Sequence, residues 1–519
     1  MPIAQSDLLF KLIKSLNKAE KRNFKLYANR IQSNDDVKFL KLFDLLDKQD
    51  VFNEVLLFKK MPSLKKSQFA NLKRHLYQQI CISLRLIHIR KNVDIEIREQ
   101  LDFARILYGK GLYIQSLTLL ERIKVLAEKS NQEVLHMEIL EFLKLIEGKH
   151  ITRSRKVKNK MEKLVQESAK SAATNLNLAK LSNLKIKIHG LYITMGHVKN
   201  KKEYNLVKDY FRSHLIHVKK DRLSFFEKVY LNQSYVWYYY ILLDFSNCYK
   251  HALKWKNMFE KYSEMKGRNP DLYMRGMHYV LSSTYNMGLY SEFCKCLKDF
   301  EDFNEQYKKT FSITSEIIAF IYIMTSKINK HAIEGSFKEG LELAPGIFRK
   351  LKKYELHLDA HRIMIFHYKI ASLYFGAGNF NQVIKYTNKI VNMEAGSLRE
   401  DIQCFTRLLN MIAHYESGNY DHLDYLVQSV FRFLNKMKDT TQVHKELINF
   451  LKRVLRTSPD IWKEHMEVLY SKLTKLEKDP FERRSFLYLD INAWLAGSLQ
   501  KRSFEAVVKE KFNREFADK

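Results

Sequence analysis

Apolar residues recur at helical spacing along most of the chain. In residues 380–391, Phe380, Val383, Ile384, Ile390 and Val391 fall on one side of a helix, with Lys385 and Lys389 as an exposed i,i+4 pair. Residues 113–126 repeat the pattern with Leu117, Leu120, Ile123 and Leu126. The same periodicity predicts helices from Gln5 to Leu16, Lys18 to Ile31, Asp36 to Asp47 and Asp50 to Met61, then a long helix after Pro62 with Ser63 as its N-cap.

A short corner separates many of these segments. Tyr108, Gly111 and Tyr113, then Tyr285, Gly288 and Tyr290, then Tyr415, Gly418 and Tyr420 share the form Y-x-x-G-x-Y, and Tyr374, Gly378 and Phe380 make a variant. Weaker copies stand at Gly196, Gly335, Asn247 and Gly148. The corners lie about 44 residues apart on average, within the range of repeat arrays. Glycine enters the left-handed region that ends a helix without a Cβ penalty, and asparagine tolerates it best among the rest. The aromatic after the corner is expected to fold back on the tyrosine before it, closing an antiparallel helical hairpin.

These residues resemble the tetratricopeptide repeat, a helix-turn-helix unit of about 34 residues. Ala371, Tyr374, Gly378, Asn379, Phe380, Ile384, Tyr386 and Lys389 carry the resemblance, while Val383 and Ile390 stand where that repeat usually has alanine. The resemblance covers roughly residues 95–440. It implies an all-α fold, an α-solenoid of antiparallel hairpins whose concave surface binds proteins or peptides, and it implies no reaction. Residues 1–92 are expected to form an N-terminal helical domain, 93–440 the repeats, and 441–519 a C-terminal helical cap with Phe486, Leu487, Leu489, Ile491 and Trp494 facing its core.

Composition fits this reading. Hydrophobic residues make up 46% of the 519, enough for a large core, while 16 glycines and 6 prolines are too few for an all-β chain. Five scattered cysteines with no C-x-x-C pair suggest a reduced, cytoplasmic setting. The opening MPIAQSDLLFKLIKSL is interrupted by Asp7, Lys11 and Lys14 and does not read as a secretory signal. The apolar run Tyr235 to Leu243 is far shorter than the roughly 20 residues of a membrane span.

The formal charge of +31 raises the question of an anionic partner. Basic residues gather at Arg153, Arg155, Lys156 and Lys158, at Lys199, Lys201 and Lys202, at Lys219 and Lys220, and at Arg349, Lys350, Lys352 and Lys353. The first three groups could line a nucleic-acid backbone with Tyr204 and Tyr210 stacking on bases; equally, charge runs solvate outer faces. A second basic set, Lys65, Lys66, Lys73 and Arg74, would lie on the later helix of a possible helix-turn-helix. No P-loop, G-x-G-x-x-G, H-E-x-x-H or G-x-S-x-G motif is present, so no catalytic, cofactor-binding or metal-binding residue is assigned. His357 and His361 stand four apart, as zinc ligands on one helix face would, but lack local partners. The expected function is therefore a non-enzymatic scaffold binding another protein or peptide, the alternative a nucleic-acid-associated or transcription-regulatory protein.

Overall fold

The computed structural model describes residues 5–31, 38–62, 64–89, 91–150, 159–216, 223–393, 399–436 and 440–516. It is all-α, with no strand among those residues. Contacts divide the chain into two compact units, Met1–Leu176 and Asn177–Lys519. The boundary expected at 92/93 lies inside the first.

The first unit holds α1 (Gln5–Ser15), α2 (Lys18–Ile31), α3 (Lys38–Lys48), α4 (Glu54–Lys60), α5 (Lys66–His88), α6 (Val93–Gly109), α7 (Tyr113–Lys129), α8 (Glu133–Lys149) and the start of α9 (Lys160–Met195). Helix α5 begins after Lys65; Ser63 lies outside the described residues. It is the spine of the N-terminal bundle, burying Phe69, Leu76 and Ile80 in the core that holds Phe24, Phe39 and Phe43. Its basic residues Lys66 and Arg74 are left exposed, while the Lys73 ammonium lies over the Phe69 ring at 4.4 Å.

The second unit continues α9 and adds α10 (Lys201–His214), α11 (Phe225–Ile241), α12 (Phe245–Lys261), α13 (Glu264–Arg268), α14 (Pro270–Met287), α15 (Tyr290–Tyr307), α16 (Ile313–Glu334), α17 (Phe337–Leu341) and α18 (Ala344–Lys353). There follow α19 (Ala360–Gly376), α20 (Phe380–Val391), α21 (Glu400–Glu416), α22 (Tyr420–Lys436), α23 (Gln442–Val454), α24 (Trp462–Leu476), α25 (Ile491–Leu499) and α26 (Phe504–Phe516). Helical hairpins stack in chain order, as in an α-solenoid. The second helix of each packs on the first helix of the next (α12 on α14, α15 on α16, α20 on α21), and the first helices α14, α16, α19 and α21 lie side by side. Helix α26 then turns back: Phe504 packs on Phe337 and Phe375, and Phe512 and Phe516 pack on Tyr290.

Gly111, Gly196, Gly288, Gly335, Gly378 and Gly418 all take a positive φ, between 69° and 76°. At Gly111 the amide bonds back to Tyr108 O at 2.9 Å and that of Leu112 to Leu107 O at 2.9 Å, the paired closure of a left-handed helix end. Tyr108 meets Tyr113, Phe375 meets Phe380 and Tyr415 meets Tyr420, at centroid distances of 5.4, 5.6 and 6.3 Å.

Several expectations need correction. Phe375, three residues before its glycine, fills the corner position assigned to Tyr374, whose ring instead stacks on Tyr386. Tyr285 packs on Phe293, while Tyr290 is taken by α26. Gly148 is helical, one residue before α8 ends. Asn247 lies inside α12, its amide bonded to the N-cap carboxylate of Asp244 at 3.0 Å; the left-handed residue of that corner is Leu243, at φ 59°. Asn131 and Lys501 close two further corners that lack a glycine.

Candidate binding surface on the inner helix faces

Arg153, Arg155, Lys156, Lys158, Lys219 and Lys220 lie outside the described residues. Lys201 and Lys202 are exposed and Lys199 half-buried at the start of α10. The Lys201 and Lys208 ammonium groups lie over Tyr204, and His214 stacks on Tyr210 at 4.1 Å, so neighbours already cover the two rings proposed for stacking. His357 ends a short 3-10 turn and His361 is the second residue of α19, with Leu358 extended between them, so they do not share a helix face.

A different group of residues converges in the second unit. On α9, Lys185, His189 and Tyr192 follow at i, i+4 and i+7 and share a face. On α14 the same spacing aligns Arg275, Tyr279 and Ser282, with His278 beside them; on α16 it aligns Tyr322 with Asn329, and on α19 Arg362 with Lys369. Rings join these faces across four helices. His189 lies 4.3 Å from Trp237 of α11, Trp237 lies 5.3 Å from Tyr279, Tyr279 lies 5.3 Å from His278, and His278 stacks on Tyr322 at 3.9 Å. Lys369 Nζ donates to Asn329 Oδ1 at 2.6 Å, extending the row onto α19.

One end of the row is closed by a buried polar network. The Arg399 guanidinium donates to both Asp401 oxygens, at 2.8 and 2.7 Å, and lies 5.9 Å over the Tyr192 ring. Tyr488 donates to Asp401, stacks on Phe405 and accepts at its carbonyl from Tyr368 at 3.1 Å. His197 Nδ1 donates to Tyr240 O at 2.9 Å. Residues near 195, 400 and 488 thus meet in space, which joins the beginning and end of the second unit. Burial alone would raise the Asp401 carboxyl, but Arg399 and Tyr488 hold it well below the usual carboxylate range. Burial brings His197 down to about 4.

The row itself is electropositive. Burial, with Arg275 and Lys369 nearby, brings His278 down to about 3. His189 is lowered by burial and by Arg275 and Lys185, Lys185 by burial and by Arg275. Burial brings Lys369 down to about 8. Among the described residues no group of three or more His, Cys, Asp or Glu side chains is placed to hold a metal ion. None of their helices is long and apolar enough to cross a membrane. The signal for this surface was present in the sequence as cations spaced one or two helical turns from aromatic or polar residues, not as basic runs. Comparison with protein-family models, with curated proteins and with solved structures yields no match.

Proposed function

We propose that this protein is a non-enzymatic scaffold that binds a peptide or an extended segment of another protein on the inner faces of α9, α11, α14, α16 and α19. The observation that carries the reading is the continuous row from His189 through Trp237, Tyr279, His278 and Tyr322, one or two side chains from each successive helix. Stacked hairpins suit this task because each contributes a small increment of a long recognition surface. The resemblance of the corners to the tetratricopeptide repeat supports the same reading.

The test is site-specific photo-crosslinking in cells, with a benzophenone amino acid at Trp237 or Tyr322 and, as an outer control, at exposed Tyr425. A protein captured from both inner positions and not from Tyr425, and lost when Lys369 is replaced by glutamate, is the expected result. Crosslinks to proteins only from Tyr425 would overturn the proposal.

A further inference from the structure

The charges along the inner row do not balance. Arg399 is paired with Asp401 at 2.7 Å and Arg362 with Asp359 at 3.7 Å. Lys185, Arg275 and Lys369, on three different helices, have no carboxylate within ion-pair distance among the described residues. The Lys185 ammonium lies 4.6 Å from the centre of the Tyr230 ring, and Lys369 has the neutral Asn329 amide. Asp271, one turn before Arg275 on α14, forms no ion pair with it, and its Oδ1 is buried without a hydrogen-bond partner. Elsewhere the same chain pairs its half-buried cations, as Lys124 with Glu167 and Lys256 with Asp299. A cation withdrawn from water without a counter-charge is destabilising, and Lys185 also lies in the field of Arg275. Such an arrangement fits a site that is completed by an anion from outside.

Resting on the reading that a peptide binds here, we propose that the bound segment is acidic, its carboxylates received by Lys185, Arg275 and Lys369 and an adjacent apolar side chain by the edge of Trp237. Nucleic acid suits the row less well. A base needs an open ring face, whereas His278 and Tyr322 cover each other at an 8° interplanar angle. A phosphate backbone is tracked by a stripe of many cations; three on separate helices suit a few carboxylates.

The full-length protein would be used to select from a random dodecapeptide display library. A selected peptide, labelled with fluorescein, is then titrated by anisotropy against wild type, Arg275→Gln, Lys369→Gln and, as an outer control, Lys463→Gln. The expected result is a consensus rich in Asp and Glu. Its Asn/Gln isostere loses binding, and the two inner variants weaken it roughly 10- to 100-fold each while the control does not. Thermal unfolding of each variant accompanies the titration, since loss of affinity in a variant at least as stable as wild type is not misfolding. A neutral or basic consensus whose binding is lost in a Trp237→Ala variant would overturn the acidic inference and leave the peptide reading intact. Failure to enrich any peptide would overturn both. Arg275-dependent binding of inorganic triphosphate or oligothymidylate more tightly than of any selected peptide would also overturn the inference, and would assign the row to phosphate.

Discussion

Lys369→Met removes a deeply placed charge and is expected to stabilise the protein at neutral pH. The folded state holds Lys369 at about 8 against 10.5 for the free side chain, a difference of about 3 kcal/mol against the charged form. The ammonium also donates to Asn329 at 2.6 Å, and losing that bond returns about 1 kcal/mol. The net expectation is a gain of about 2 kcal/mol near pH 7. The pH dependence separates charge from packing. Below about pH 8 both states of the wild type keep the proton and the penalty is constant. Between about 8 and 10.5 the folded state releases it first, the unfolded state binds more protons, and wild-type stability climbs relative to the variant. Near pH 10 the gain should therefore have vanished. Urea denaturation of both proteins at the two pH values, followed by far-ultraviolet circular dichroism, measures it. A variant less stable than wild type near pH 7, or an advantage equal at both pH values, would refute the reasoning.

Asp401→Asn should destabilise by about 3–5 kcal/mol, because it leaves the buried Arg399 guanidinium without its counter-charge; urea denaturation checks it. Gly376→Ala places a Cβ 2.3 Å from the Phe337 ring and should lower the thermal midpoint, at a cost of about 1–3 kcal/mol. His197 and His278 have folded pKa values near 4 and 3, below the unfolded value, so the folded state binds fewer protons and stability should fall as pH drops from about 6.5 through 4. His278→Phe, which keeps a ring against Tyr322, should flatten that decline in an acid titration of the thermal midpoint. Lys501→Gly, at a left-handed exposed position, should raise stability by up to about 1 kcal/mol in the same assay.

The helices and most corners were legible because their signals are local. A glycine three residues after an aromatic and two before another is a strong mark when only glycine enters the left-handed region freely, and the four such glycines, Gly111, Gly288, Gly378 and Gly418, all do so. The corners at Asn131, Leu243 and Lys501 were silent for the complementary reason. A left-handed non-glycine residue costs about 1–2 kcal/mol, which tertiary packing can offset. Leu243 shows how: it is 7% exposed, and its burial outweighs the backbone cost. Asn247 was misread because asparagine both tolerates a corner and serves inside a first helical turn, and the Asp244 cap that decides between them is a contact, not a composition.

The inner row was not legible, because the basic runs stand out more strongly in the sequence than single cations do. A run of charges at successive positions points all round a helix and is stable only in water, which is where Lys201, Lys202, Lys350 and Lys352 are found. A half-buried cation without a carboxylate partner is costly and persists only with a purpose, and Lys185, Arg275 and Lys369 are of this kind. Their convergence depends on how the first helices of successive hairpins lie together, which no local window contains. The same dependence explains the closing network: Tyr192, Arg399 and Tyr488 are far apart in sequence and meet only because the second unit joins its beginning to its end. Where the function of a stacked-hairpin protein resides in such a row, the residues to seek are therefore charges followed at i+4 or i+7 by aromatic or polar residues on one helix face, compared between hairpins.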